Sequence, residues 1–348
     1  MTSPSPHAPD SDGKDRIVCF GEALIDFSPA PSMQPGQTPM FVQHAGGAPA
    51  NVAVAVARLG GNAEFIGMLG ADMFGDFLLE SLRAANVGVS HVQRTQDAPT
   101  ALAFVALDAH GERSFSFYRP PAADLLFCDA DLSDQAFDGA RVLHVCSNSM
   151  TEAGIADTTL AAMRRARRAS VLVSFDMNLR PALWPRDTDP APRIWNALAL
   201  ADVVKLSREE LDFLVAASGD EAGVLQHLWK GAARLLVITD GARALRWLTP
   251  LGQGVVETFP VTTVDSTAAG DAFTGGLLLG LATRGIVPAS LPSFASDPQA
   301  LHDVLRFAAA CGAFAATRPG SFVAMPTRAD AEALIQAFSS SVITTSKT

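Results

Sequence analysis

Hydrophobic and polar positions along the chain alternate between short apolar runs and segments of helical period. Arg16–Phe20 is a short apolar strand, and a helical pattern over Ala50–Leu59 ends at Gly60-Gly61. Strand Ala63–Met68, helix Phe77–Ala85 and strand Val87–Val92 follow. The texture then changes: Thr100–Asp108 and Arg113–Tyr118 alternate as strands do, joined by a hairpin turn at Ala109-His110-Gly111-Glu112. With Glu22–Phe27 and Phe41–His44 they predict a small antiparallel sheet apart from the main one, placed to cover a ligand and exclude water.

From Val142 the pattern is regular βα alternation. Strands Val142–Cys146, Ser170–Asp176, Asp202–Leu206 and Leu235–Thr239 alternate with helices Ile155–Arg168, Ile194–Leu200 and Leu211–Ala217. An apolar, β-branched run from Val255 to Val264 reads as a further strand. It leads through a turn of small residues into a buried helix over Ala272–Leu281, and helices His302–Thr317 and Arg328–Phe338 close the chain. Successive βα units imply parallel strands with right-handed crossovers. The expected fold is therefore a doubly wound α/β domain over 16–338, with a β lid drawn from about 22–45 and 98–121. A Ser/Pro/Asp-rich leader (1–15) is expected to be disordered and the polar tail (339–348) to be frayed.

Composition narrows the function. Hydrophobic residues make up 48% and charged residues 18% of the 348, enough to fill a sizeable core. The net charge of −10 argues against nucleic acid or an anionic membrane as the main partner. No apolar stretch is long enough to span a bilayer. Cys19, Cys128, Cys146 and Cys311 are scattered without a CxxC pair, which points to reduced, mostly buried thiols of a cytoplasmic protein.

Candidate chemistry gathers at the carboxyl ends of strands, where open α/β sheets bind ligands. Asp265-Ser266-Thr267-Ala268-Ala269-Gly270-Asp271 stands at the entry to the buried helix. A helix N-terminus offers unpaired N–H groups and partial positive charge, and Asp271 sets a carboxylate beside them. That combination suits phosphoryl transfer to a hydroxyl, and also an ordinary helix-opening turn. The helix field should favour ionised Asp271 and make it a weak base. Asp26 follows the first strand, where it is either an acceptor for sugar hydroxyls or a solvated turn residue. Gly46-Gly47-Ala48-Pro49-Ala50-Asn51 lets backbone approach a small ligand, with Asn51 early in a helix; no Gly-Lys-Ser/Thr follows, so it is not a Walker A loop. Arg119 is either a fork for ligand oxygens or a surface charge. Ser207 and Glu210 have the spacing of a capping box, and Thr239-Asp240-Gly241 forms a turn able to carry nucleotide phosphates or simply reverse the chain.

Gly46–Ala53 and Asp265–Asp271 resemble the paired signatures of the ribokinase-like (pfkB) carbohydrate kinases, and Asp72-Met73-Phe74-Gly75 resembles the short motif between them. The resemblance spans about Ile17 to Leu334 and runs closest to fructokinases, since Gly47-Ala48-Pro49 replaces the Gly-Lys-Gly of ribokinases and sugar-phosphate kinases. It implies a ribokinase-like fold with a β lid and transfer of the γ-phosphoryl of ATP to the 6-hydroxyl of D-fructose. Alternatives are another pfkB kinase, such as 2-keto-3-deoxygluconate kinase or ribokinase, and a non-catalytic sugar-sensing protein on the same fold. By the same resemblance, Asp271 is the catalytic base and Ala268, Ala269 and Gly270 form the anion hole. Asp26, Gly46, Gly47, Asn51, Arg119 and Arg180 bind the sugar or steer phosphate. Ser207, Glu210, Thr239 and Gly241 serve the nucleotide, Glu210 reaching Mg²⁺ through water. Asp265, Thr267 and Ser321 hold a monovalent cation, K⁺. A homodimer through paired lids is implied as well. Two departures stand out: Ala268 replaces the usual glycine of Gly-Ala-Gly-Asp, and Ala244 replaces a common glycine of the nucleotide loop.

Overall fold

A computed structural model describes residues 15–30, 38, 40–107 and 113–345. Most of the predicted leader, the hairpin turn Ala109–Glu112 and the last three residues of the tail lie outside them. In chain order the first half forms β1 (Arg16–Phe20), β2 (Leu24–Pro29), β3 (Phe41–Gly46), α1 (Ala48–Arg58), β4 (Ala63–Gly70), α2 (Met73–Ala84), β5 (Gly88–Thr95), β6 (Leu102–Leu107) and β7 (Arg113–Tyr118). The second half forms β8 (Ala140–Cys146), α3 (Ala153–Arg168), β9 (Leu172–Asp176), α4 (Ala191–Leu198), β10 (Val203–Ser207), α5 (Arg208–Ser218), α6 (Glu221–Lys230), β11 (Leu235–Asp240), β12 (Arg243–Leu248), β13 (Gln253–Val256), α7 (Ala269–Ala282), α8 (Leu291–Ala295), α9 (Pro298–Ala316) and α10 (Arg328–Thr345).

Nine strands make one twisted sheet in the order β13-β12-β11-β10-β9-β8-β1-β4-β5. The strands from β11 to β5 run parallel, and β12 and β13 form an antiparallel edge. Period-two alternation splits each central strand between two cores. Ile17 and Cys19 face a layer containing α1, α7 and α9, whereas Val18 and Phe20 face α3, α4 and α5. Each fully buried aliphatic or aromatic side chain in these layers contributes about 1.5–3 kcal/mol. Helix α7 runs between α1 and α9. A Cβ on Gly275 would lie 2.6 Å from Ala55 Cβ and one on Gly276 2.9 Å from Cys311 Sγ, so glycine sets the closeness of these helices.

Three expectations change. The apolar run ending at Val264 is not a strand throughout: β13 stops at Val256, and Glu257–Val264 carries irregular backbone to α7. Phe259 and Val261 pack on the helical layer instead, Phe259 against Phe338, while Val264 is exposed. The second sheet, ordered β3-β2-β6-β7, is not wholly antiparallel, because β2 and β6 pair in parallel. Finally, α10 runs to Thr345, past the Phe338 end read from the sequence.

Candidate functional site

Ala268 is the N-cap of α7, with φ −110° and ψ 11°. Its φ is negative, so alanine carries none of the left-handed strain that a glycine requirement would imply. Gly270 and Asp271 lie in the first turn, where N–H groups lack intrahelical acceptors. The N–H of Ala269 is not free in this way, since it donates to the Ser266 carbonyl at 3.2 Å. The Asp271 carboxylate is buried, and Oδ2 accepts a 2.8 Å hydrogen bond from Asn51 Nδ2. The expectation that the helix field keeps Asp271 ionised is overturned. Burial pushes its pKa up to about 8, against the Asn51 hydrogen bond and the charges of Lys205 and Arg180.

Asp271 opens onto a cavity of about 560 Å³ between the carboxyl ends of β9, β10 and β11 and the start of α7. Arg180, Ser207, Glu210, Thr239 and Gly241 line it from the sheet side, and Thr267, Ala269 and Gly270 from the helix side. Its size lies within the range of small-molecule sites. The capping box is present: Ser207 N–H donates to Glu210 Oε2 at 2.7 Å and Glu210 N–H donates to Ser207 Oγ at 3.2 Å. Glu210 Oε1 accepts from Leu179 N–H at 2.8 Å, so Glu210 ties the β9 and β10 exits together. A second cavity, about 580 Å³ between β3, α1 and α2, includes Ser321 but none of the other predicted site residues.

On the other side of Asp271 stand the residues expected at a sugar. Asn51 Oδ1 is buried and has no hydrogen-bond partner among the described residues, leaving an acceptor for a ligand hydroxyl. Asp26 Oδ2 accepts from Ser321 Oγ at 3.3 Å, and burial raises its pKa to about 6. A Cβ on Gly46 would collide with that carboxylate. Gly47 has φ +103°, and a Cβ there would meet the Glu22 carbonyl at 2.5 Å. Asp265 accepts from Thr267 N–H at 2.9 Å and Gly320 N–H at 3.1 Å, so the three residues expected at a cation, Asp265, Thr267 and Ser321, share one loop cluster with Asp26.

Arg119 does not join this set. It is neither a ligand fork nor a surface charge: 1% of it is exposed and its nitrogens are spent inside the protein. Nε and Nη2 hold Asp124 Oδ2 at 2.8 and 2.5 Å, and Nη1 donates to the Asn148 carbonyl at 2.7 Å. Asn148 Nδ2 in turn donates to Glu22 Oε1, which also accepts from Ala48 N–H at the start of α1. These residues brace the two ends of the lid, since Glu22 precedes β2 and Arg119 follows β7. Asp72 braces β6: its Oδ1 caps α2 and accepts from Thr100 Oγ1, and its Oδ2 accepts from Thr100 N–H. The short Asp-Met-Phe-Gly motif therefore ties the start of α2 to the segment that enters β6.

Sequence reasoning assigned no role to Lys205 or Asp176, which form a buried pair at 3.1 Å beside Asp271. Lys205 is a charge inside the apolar strand Val203–Leu206, and that interruption was its signal.

The model of the pfkB family of carbohydrate kinases matches residues 14–328. Fructokinase-1 of Oryza sativa subsp. japonica is 41% identical over 321 residues, covering 92% of this chain and 97% of the relative. The ATP-bound fructokinase structure from Xylella fastidiosa is 54% identical, with a TM-score of 0.90 over 94% of this chain and 99% of that one. A fructokinase double mutant from Vibrio cholerae O395, bound to fructose, ADP and potassium, is 35% identical, with a TM-score of 0.80 over 93% and 99% of the two chains. With the fold, the buried carboxylate at the α7 N-terminus and a family match over most of its length, this chain belongs to the pfkB family of carbohydrate kinases.

Proposed function

We propose that the protein transfers the γ-phosphoryl group of ATP to the 6-hydroxyl of D-fructose. The observation that carries the reading is the buried Asp271 carboxylate, held by Asn51 at the open N-terminus of α7 and facing the 560 Å³ cavity. Asp26, Gly46, Gly47 and Asn51 bind the sugar, and Arg180, Ser207, Glu210, Thr239 and Gly241 bind the nucleotide. As the sugar O6–Pγ bond forms, the bond from Pγ to the β,γ-bridging oxygen breaks and its electron pair leaves on ADP. The hydroxyl proton passes to Asp271, and the N–H groups of the first turn of α7 stabilise the charge in transit.

Among the described residues no group of three or more His, Cys, Asp or Glu is arranged to hold a metal ion. Mg²⁺ therefore fits as an ion carried on the ATP phosphates, where it neutralises charge, with Glu210 reaching it through water. K⁺ fits beside Asp265, Thr267 and Ser321. The plant and bacterial fructokinases that resemble the chain support fructose over other sugars. A panel of D-fructose, ribose, glucose, 2-keto-3-deoxygluconate and fructose 6-phosphate tests this by ATP-dependent ADP release. Preference for another sugar overturns the substrate, and no turnover with any overturns the kinase.

Asp271 must be ionised to accept the proton, and its pKa of about 8 places that change within the working range. In the free enzyme kcat/KM should rise about tenfold per pH unit up to about pH 8 and level above it. A flat profile from pH 6 to 8 would remove Asp271 as the group being titrated.

The lid also offers a surface for a second copy. Phe27 stacks on Phe104, whose edges meet Phe41 and Tyr118. Phe41 and Tyr118 are 47% and 66% exposed on the two edge strands, enough to support a homodimer through paired lids. Light scattering should give twice the chain mass, and a monomer would refute the pairing. No helix among the described residues is long and apolar enough to cross a membrane. Its free cysteines, three of them buried and Cys128 exposed, support a cytoplasmic location.

A further inference from the structure

We propose that Lys205 is a catalytic residue whose ammonium stabilises the charge of the phosphoryl group in transit, reaching it past Gly270, where no side chain intervenes. The inference rests on the kinase reading above. Two cations line the nucleotide cavity: Arg180 is exposed, and Lys205 is buried within β10. Lys205 Nζ bonds both oxygens of Asp176 at 3.1 Å. A Cβ on Gly270 would lie 3.2 Å from Nζ, so the ammonium reaches the first turn of α7 next to Asp271. Thr274 Oγ1 donates to Asp176 Oδ2 at 3.3 Å, which fixes the pair from one turn further along the same helix.

The surrounding charge explains why a cation is needed there. Carboxylates face the spot from β9 (Asp176), α5 (Glu210) and α7 (Asp271). From β8, His144 is held neutral by burial, which lowers its pKa to about 4, and the buried Cys146 stays a thiol. Burial disfavours the Lys205 ammonium, but Asp176 and Glu210 outweigh it and hold the lysine charged. Without Lys205, a phosphoryl group entering this pocket would meet carboxylates on three sides. Lys205 forms no bond and gives no proton in the transfer. It supplies charge to the equatorial phosphoryl oxygens, where excluded water leaves that charge weakly screened.

Removing the lysine alone would strand Asp176, so the main test is the double variant Lys205→Gln with Asp176→Asn, a neutral pair that can still hydrogen-bond. Asp176→Asn alone is the control that keeps the ammonium. The double variant should melt as the unsubstituted protein does and bind ATP normally. Its kcat should fall about 100-fold, and so should its affinity for ADP with aluminium fluoride and fructose, a mimic of the phosphoryl in transit. The control should lose less than about tenfold in kcat. Full turnover by the double variant overturns the proposal and leaves the kinase reading standing. Equal losses in both variants overturn it too, because the pair would then be structural. If the unsubstituted protein turns over no sugar, the kinase reading falls and this inference falls with it.

Discussion

Asp271→Asn should lower kcat by about 10³-fold while ATP still binds, because a positioned base contributes about 10²- to 10⁴-fold and the amide cannot take the proton. The substitution preserves shape and a hydrogen-bonding oxygen for Asn51 Nδ2, so the fold should survive. It also removes a buried carboxylate that desolvation already disfavours, and stability should hold or rise. Steady-state kinetics, nucleotide titration and melting on one preparation separate these effects. Turnover within tenfold of the unsubstituted protein would show that Asp271 orients the hydroxyl without accepting its proton.

The second large effect falls on stability. Arg119→Met should cost about 3–5 kcal/mol, the cost of removing one partner of a buried ion pair. Asp124 would lose the guanidinium that pairs with it, and the Asn148 carbonyl would lose its 2.7 Å donor and keep the longer bond from Thr151 Oγ1. The Glu22 carboxyl is already raised by burial despite the nearby Arg119 charge, so without that charge it would become harder still to ionise. The sign with pH follows. Carboxyls whose folded pKa is raised above the unfolded value destabilise the fold above the unfolded pKa, near 4. The variant should therefore lose most stability at neutral pH and recover part of it as pH falls toward 4. Urea unfolding at pH 5 and pH 7.5 measures this. Adding Asp124→Leu should return much of the loss at neutral pH. A deficit unchanged by pH would mean that Arg119 acts through packing alone.

Much of this protein was legible in its sequence because the signals are local. Strand and helix periods mark nearly every element of the parallel sheet, and the two motifs of small residues mark where the chain turns into α1 and α7. Asp271 and Asn51 could be named from those motifs, although they are 220 residues apart. What the sequence could not show was set by neighbours distant in the chain. The short antiparallel strand β12 and helices α6 and α8 lack a distinctive period of their own and take their form from the surfaces they cover. The direction of β2 against β6 depends on how both leave the main sheet. Burial decides charge: Asp271 reads as an ionised helix-opening residue in sequence and becomes a carboxyl with a pKa near 8 once α1, β9 and α7 enclose it. Arg119 reads as a surface or ligand cation and becomes an internal brace, because Asp124, Asn148 and Glu22 converge on it only in the folded chain. Lys205 finds its place beside Gly270 for the same reason. Local pattern specified the elements and the turns; desolvation and long-range pairing, which no single segment carries, specified the charges of the site.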